Sequence, residues 1–274
     1  MNKFLSMPRY TSRFHLTGFS ALSLLFLFAC GSDPSVPAAS TVEPSQAQRV
    51  VDAAIAAHGS DKLSAGRVAF DFRDRHYVAE RRGGIFQYER IFTDSLGRRV
   101  RDVLTNEGLL REVEGEAVPL SPKDSAAYAN SVNSVIYFAL LPYFLNDPAV
   151  RKEYLGEEKI NGKDYHRVQV TFRAAGGGKD HDDEFVYWFD QADHTMDYFA
   201  YNYLTDGGGA RFREAYNWRE IGGVRFADYR NFQPMDDSRA VGGFAARFAA
   251  DSLELLSLIE LENVTFRPIN DNPS

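Results

Sequence analysis

The 274 residues predict an α+β fold: a large curved antiparallel β-sheet, an open half-barrel, covering one or two helices. Three observations carry this expectation. Apolar residues recur at every second position through much of the chain, the period of a half-buried strand. The connections between these runs are short, which permits antiparallel hairpins and leaves no room for the crossovers of a parallel sheet. Aromatic residues make up 14% of the chain, with 21 Phe and 14 Tyr, and flat rings favour a pleated surface. With 44% hydrophobic and 25% charged residues, the chain has the balance needed to bury a core.

The first segment reads as targeting and not as fold. Lys3, Arg9 and Arg13 precede an uncharged run at 16–28. That run is shorter than the roughly 20 apolar residues of a bilayer span and suits the apolar region of a signal peptide. It ends in Leu27-Phe28-Ala29-Cys30, which resembles a bacterial lipobox, although Phe28 is bulkier than is usual at its place. The resemblance implies lipidation at Cys30: the thiol takes a diacylglycerol, and cleavage frees an amine that can itself be acylated. Two or more chains anchor a protein where one does not. An uncleaved anchor, or a plain signal peptide with a chance Cys, is the alternative. Residues 30–46 are rich in Ser, Pro and Ala and read as a flexible tether. Gly31 and Ser32 lack the Asp that often signals retention at an inner membrane. The expected organisation is therefore a signal peptide at 1–29, a tether at 30–46 and one domain at 47–270. The expected location is the cell envelope, lipid-anchored at the outer membrane, on its periplasmic face or at the surface.

The formal net charge is −7, and the first 29 residues carry three bases and no acid, so the remainder stands at −10. An acidic body argues against nucleic acid, which needs a basic face. It argues equally against an electrostatic grip on anionic headgroups. With a single Cys there is no intrachain disulfide and no cysteine metal site.

Within the domain, residues 47–57 place Val50, Val51, Ala54 and Ile55 on one helical face, with Ser45 as N-cap and Gly59 as the left-handed stop. Val68, Phe70 and Phe72 alternate as a strand. Further strands are expected at 85–93 after the Gly83-Gly84 turn, at 98–105 and at 109–113. Ser121-Pro122-Lys123-Asp124 is a helix start, with Ser as cap, Pro at the first position and an acid at the third. This helix should run toward Leu141, where Pro142 ends or bends it. Residues 135–145 are the most apolar of the mature chain and read either as a core helix or as an element lining a lipid-like pocket. A second β run follows. His166, Val168, Val170 and Phe172 share one face, as do Phe185, Tyr187 and Phe189. Strands at 198–204, 212–218, 224–232 and 253–266 complete it, with Ile221-Gly222-Gly223-Val224 as a hairpin. Residues 234–250 read as an irregular inserted loop.

Three segments carry a family resemblance. The run from Lys159 through Asn161-Gly162 to Val170, the Val186-Tyr187-Trp188-Phe189-Asp190 strand and turn, and the Glu220 to Phe226 hairpin resemble the Lol-type fold of lipoprotein carriers and receptors. Ala227 stands where that group commonly has Pro. From His58-Gly59 through Leu140-Leu141-Pro142-Tyr143-Phe144 to the last strand, the chain is also similar to lipoproteins of Bacteroidota-type bacteria with no assigned activity. The resemblance implies a fold, an envelope location and, as in carriers of this fold, an apolar cavity that holds acyl chains.

Chemistry is sparse. Asp180 to Glu184, including His181, is the densest cluster of metal-ligand types, but it lacks calcium-loop spacing and reads as a solvated turn. Asp74 and His76, taken as neighbours on one strand, offer an acid–base pair. His58 reads as a helix C-terminal residue favoured by the dipole, and His194 as a turn residue. No nucleophile elbow, zinc helix or phosphate loop occurs. No catalytic residue, metal or cofactor is therefore expected. The functional expectation is a non-catalytic binding module for a lipid, a lipoprotein or an acyl chain, with Phe70, Phe72, Val170, Phe172, Tyr187 and Phe189 as ligand-binding residues. A structural or interaction lipoprotein without a small ligand, or an envelope hydrolase using Asp74 and His76, are the alternatives.

Overall fold

Local sequence sets the first helix. In the computed structural model, which describes residues 43–173, 183–204 and 207–269, α1 (Gln46–His58) starts where the Ser45 hydroxyl accepts from the Gln48 amide and stops at Gly59, φ 60°. Gly59 is required twice over. The left-handed stop suits glycine, and a Cβ there would meet the Gly223 carbonyl oxygen at 2.0 Å.

A meander follows: β1 (Ala65–Phe72), β2 (Arg75–Arg82), β3 (Ile85–Thr93), β4 (Arg99–Thr105), β5 (Gly108–Val113) and β6 (Glu116–Val118). α2 (Pro122–Ala139) begins as the sequence predicts, with Ser121 accepting from the Asp124 amide. Then come β7 (Val150–Ile160), β8 (Lys163–Phe172), β9 (Phe185–Asp190), β10 (Met196–Tyr203), β11 (Gly209–Ile221) and β12 (Val224–Pro234). A short α3 (Phe244–Ala249) precedes β13 (Leu253–Ile259) and β14 (Glu262–Pro268).

Every strand pairing is antiparallel. Among the described residues the strands form two sheets of seven, ordered β14-β1-β2-β3-β4-β5-β6 and β13-β12-β11-β10-β9-β8-β7. The fold is thus the expected α+β open half-barrel, with its hydrogen bonding interrupted once. The interruption falls inside the stretch expected as one strand at 253–266. The Asp228 carboxylate accepts from the Leu261 amide at 2.9 Å, and the Arg219 guanidinium donates to the Leu261 carbonyl at 2.6 Å. Side chains thus take the backbone groups that a continuous strand would offer to its neighbour.

Three apolar clusters hold the layers. The sheet of β1–β6 packs Phe70, Tyr77 and Tyr88 on Val132, Ile136 and Leu140 of α2. One face of the β7–β13 sheet packs Val168, Tyr187 and Phe199 on α1 and on Leu141 and Leu145. Its other face buries Trp188 and Phe212 under Val241 and Phe244. Residues 234–250 are therefore not an irregular loop: a 3-10 turn and α3 cap that face, and Phe244 is fully buried. A sheet with rings on both faces must be covered on both. Among the described residues no helix is long and apolar enough to cross a membrane.

Candidate ligand-binding site

Helix α2 lies between the two sheets and presents a different side to each. Val132 and Ile136 are fully buried on the β1–β6 side. On the other side Phe138 stacks on Phe199 at 5.8 Å and lies against Tyr201 at 5.2 Å between ring centroids. Two pockets adjoin this residue, and Ser134 and Phe138 belong to the walls of both. The first, of about 270 Å3, is completed by Phe72, Val135, Ala227, Tyr229, Ile259 and a polar group of residues. The second, of about 300 Å3, is completed by Tyr137, Phe172, Phe185 and Tyr201, with Asp183 and Arg211.

The polar group has a regular origin. Arg213, Asn231 and Ser257 are successive cross-strand partners on β11, β12 and β13, so their side chains stand side by side on one face. The same row continues through Phe199 and Tyr187. Ala227, Tyr229 and Ile259 share the wall. The Arg213 guanidinium sits 4.2 Å from the Phe138 ring centroid and 5.3 Å from those of Phe199 and Tyr201. Its Nη2 donates to the Tyr201 hydroxyl at 2.9 Å, and the Asn231 side-chain amide donates to Ser257 at 3.1 Å. Burial pushes the phenols of Tyr187 and Tyr229 up, so neither carries negative charge at neutral pH.

Of the residues expected to bind ligand, Phe72 lines the first pocket and Phe172 the second. Phe70, Val170, Tyr187 and Phe189 are at most 1% exposed, packed in the apolar clusters behind the walls. Phe138, Arg213 and Asn231 were not singled out by the sequence. Position 138 lies within the apolar stretch at 135–145, which gave that signal in coarse form. Arg213 follows Phe212 in β11, so strict alternation marks it as the residue opposite Phe212, but only the strand register shows that it faces α2.

The acid–base pair is corrected. Arg73 and Asp74 form a turn between β1 and β2, with Arg73 at φ 56°, so Asp74 and His76 do not share a strand. Cross-strand register instead sets Asp71 opposite His76, with Nδ1 and carboxylate oxygen 2.6 Å apart. Asp71 also accepts from Asn263 at 2.7 Å, and the hydrogen bonds from Asn263 and then His76 hold its carboxyl below the usual range. The His76 and Asp71 side chains are 45% and 33% exposed, and Asp74 contacts Arg75 at 3.6 Å. This is a solvated hairpin end, where Asp71, Asp74 and His76 line an open hollow of about 430 Å3.

His58 is also corrected. Its ring is buried, and Nε2 accepts from the Met196 amide at 3.1 Å. Burial first, and then Arg225, lower its pKa to about 4. The neutral imidazole is a core acceptor and not a charged partner of the helix dipole. His194 is a turn residue as expected, at φ 57°. Of the acidic cluster, Asp180, His181 and Asp182 lie outside the described residues, as does Cys30. Glu184 accepts from Gln169 at 2.6 Å. Among the described residues no group of three His, Cys, Asp or Glu is placed to hold a metal.

A family model described as a family of unknown function, DUF6503, matches residues 24–261. No curated protein matches the sequence. Among solved structures, a DUF1329 family protein from Desulfovibrio piger is similar at 12% identity, with 81% of this chain and 94% of that one covered and a TM-score of 0.49. A LolA superfamily protein from Nitrosomonas europaea is similar at 11% identity, with 84% and 96% covered and a TM-score of 0.45. A Vibrio parahaemolyticus domain described as an outer membrane lipoprotein-sorting protein gives 10%, 83%, 95% and 0.42 in the same order.

Proposed function

The chain belongs to DUF6503, a family of unknown function, and from its own geometry we propose that it is a non-catalytic envelope lipoprotein that binds an apolar ligand, a lipid or an acyl chain, beside α2. One observation carries the reading: two pockets of about 270 and 300 Å3 meet at Phe138, a half-buried ring on a helix between two sheets. Ligand sites are apolar hollows of roughly 300–1,000 Å3 with a few placed polar groups, and these two pockets together suit a single flexible chain. The lipidation at Cys30, the signal peptide at 1–29, the tether at 30–46 and the single domain at 47–270 complete the proposal. In this reading the N-terminal lipid anchors the module at the outer membrane.

Native mass spectrometry of the purified full chain tests the reading. Lipid masses that co-purify without covalent attachment are expected, and repeated lipid-free preparations from membranes would overturn it. Labelled palmitate should enter the wild-type chain and not the Cys30→Ser variant; equal labelling of both removes the anchor. The burial of Phe70, Val170, Tyr187 and Phe189 in solid packing favours a second reading, an interaction lipoprotein without a small ligand, for which the lipid-free result is the expected one.

A further inference from the structure

We infer that the first pocket takes an amphiphile with a single anionic head, a long-chain carboxylate, and that Arg213 is the residue that selects it. The inference rests on the apolar-ligand reading and specifies its chemistry.

Arg213 is only 7% exposed. Arginine stays charged inside proteins, and a buried charge is costly unless an opposite charge or a full set of hydrogen bonds meets it. Several buried or half-buried arginines of this fold have such a partner, whereas half-buried Arg81 is met by the phenols of Tyr88 and Tyr143. Arg90 has Asp102, Arg101 has Glu89 and Glu112, and Arg219 has Asp228. Arg213 has no ion pair among the described residues. It has rings on several sides, one phenol oxygen on Nη2, and an Nε, sealed from solvent, that no described group accepts from.

The neighbouring residue repeats the pattern with opposite polarity. Asn231, the cross-strand partner of Arg213, is also 7% exposed. Its amide nitrogen is used by Ser257, while its Oδ1 is buried and accepts from nothing described. A donor and an acceptor thus stand adjacent on one wall of one pocket, each nine-tenths buried and each short of a partner. The rest of that pocket is mostly apolar: Phe72, Val135, Phe138, Tyr229, Ile259 and Leu261. One unmet positive charge at an apolar hollow calls for one negative charge on an apolar body. A carboxylate presents two oxygens to the guanidinium edge, and its alkyl chain follows the rings. At about 270 Å3, with the second pocket of about 300 Å3 adjoining it at Phe138, the space suits one alkyl chain better than the paired chains of a phospholipid. Asn231 Oδ1 adds a place for a hydroxyl donor near the head of the same chain. Arg73, exposed at the pocket wall, would draw the anion in without burying a second charge.

The test uses the purified full chain carrying Cys30→Ser, which removes the thiol as an acylation site, and titrates palmitate, methyl palmitate and dipalmitoyl phosphatidic acid in a displacement assay. Palmitate is expected to bind at least about tenfold tighter than its ester, as loss of a charge-assisted hydrogen bond implies. Arg213→Met should erase that difference while still binding the ester, and Arg213→Lys should restore part of it. Equal affinity for acid and ester in the parent chain overturns the inference and leaves the apolar-ligand reading standing. Binding of neither overturns both. Preference for phosphatidic acid overturns the single-chain carboxylate. Should Arg213→Met not fold, the acid–ester ratio of the parent chain and of Arg213→Lys decides alone.

Discussion

Helix α2 is met from either side by a buried arginine, and the two are treated in opposite ways. From the β1–β6 sheet, Arg90 reaches Ser131 of α2 at 2.6 Å while its own charge is answered by Asp102, through Nε at 2.9 Å and Nη2 at 2.6 Å. Asp102 is fully buried and also receives Arg111, whose guanidinium lies 3.6 Å from the Tyr128 ring centroid of the same helix. From the β7–β13 sheet, Arg213 reaches Phe138 with no carboxylate paired to it among the described residues. The first side is complete in itself and fastens the helix. The second has no ion pair among the described residues and, in the proposal made above, is completed by the anionic head of a ligand. The difference separates an arginine neutralised within the fold from one that, in the proposal above, awaits a ligand, although both are arginines on the inner face of a strand.

The largest expected effect tests the fastened side. Asp102→Ala leaves Arg90 and Arg111 without a counter-charge inside the protein and should cost about 3–5 kcal/mol in urea unfolding; a loss below about 1 kcal/mol would remove the contrast between the two sides. The next effect concerns a third solution to a buried base, which is to lose the proton. Unfolded His58 titrates near 6.5 and folded His58 at about 4, so between these values the unfolded chain binds more protons. The stability from this group is complete above about pH 6.5 and falls away as the pH drops toward 4, by about 3 kcal/mol. Urea midpoints measured across that window should fall in the wild type and fall less in His58→Gln, which keeps an acceptor for the Met196 amide. The smallest effect belongs to Arg213. Losing its ring contacts and removing an unmet charge oppose each other, so Arg213→Met should shift the unfolding free energy by about 1 kcal/mol or less. A loss as large as that of Asp102→Ala would make Arg213 a second fastening and not a waiting partner.

How much of this was legible depends on how local the signal is. The start of α2 was readable because Ser121, Pro122 and Asp124 act within one turn, and the Gly222-Gly223 hairpin because two adjacent glycines with positive φ define it. The β1–β2 turn was missed because Arg73 and Asp74 look like strand-face charges; it hid β2 and misassigned the partner of His76. β7 was passed over because its exposed positions are charged and it lies at a sheet edge. The pocket walls were half visible. Phe72 and Phe172 follow from alternation, but alternation cannot separate a ring that faces a hollow from one that faces packing, as Phe70 and Val170 show. Arg213 and Asn231 become a pair only through the β11–β12 register, which depends on a bulge between Tyr216 and Arg219 and is not a property of either residue.

The break between β13 and β14 has a mechanical consequence. The two sheets are edge neighbours in sequence there, joined through Glu260 and Leu261, and Leu261 is pinned at both its backbone groups by Asp228 and Arg219. Such a joint lets two plates swing like covers about a spine but resists sliding. Each far edge, β6 and β7, is six strand spacings from it, roughly 30 Å at 4.7–4.9 Å per strand. A swing of about 5° at the spine therefore moves a far edge by roughly 2–3 Å. That is enough to widen or close the space around α2, which links the sheets together with the packing of Val224 and Phe226 on Phe70 and Phe266.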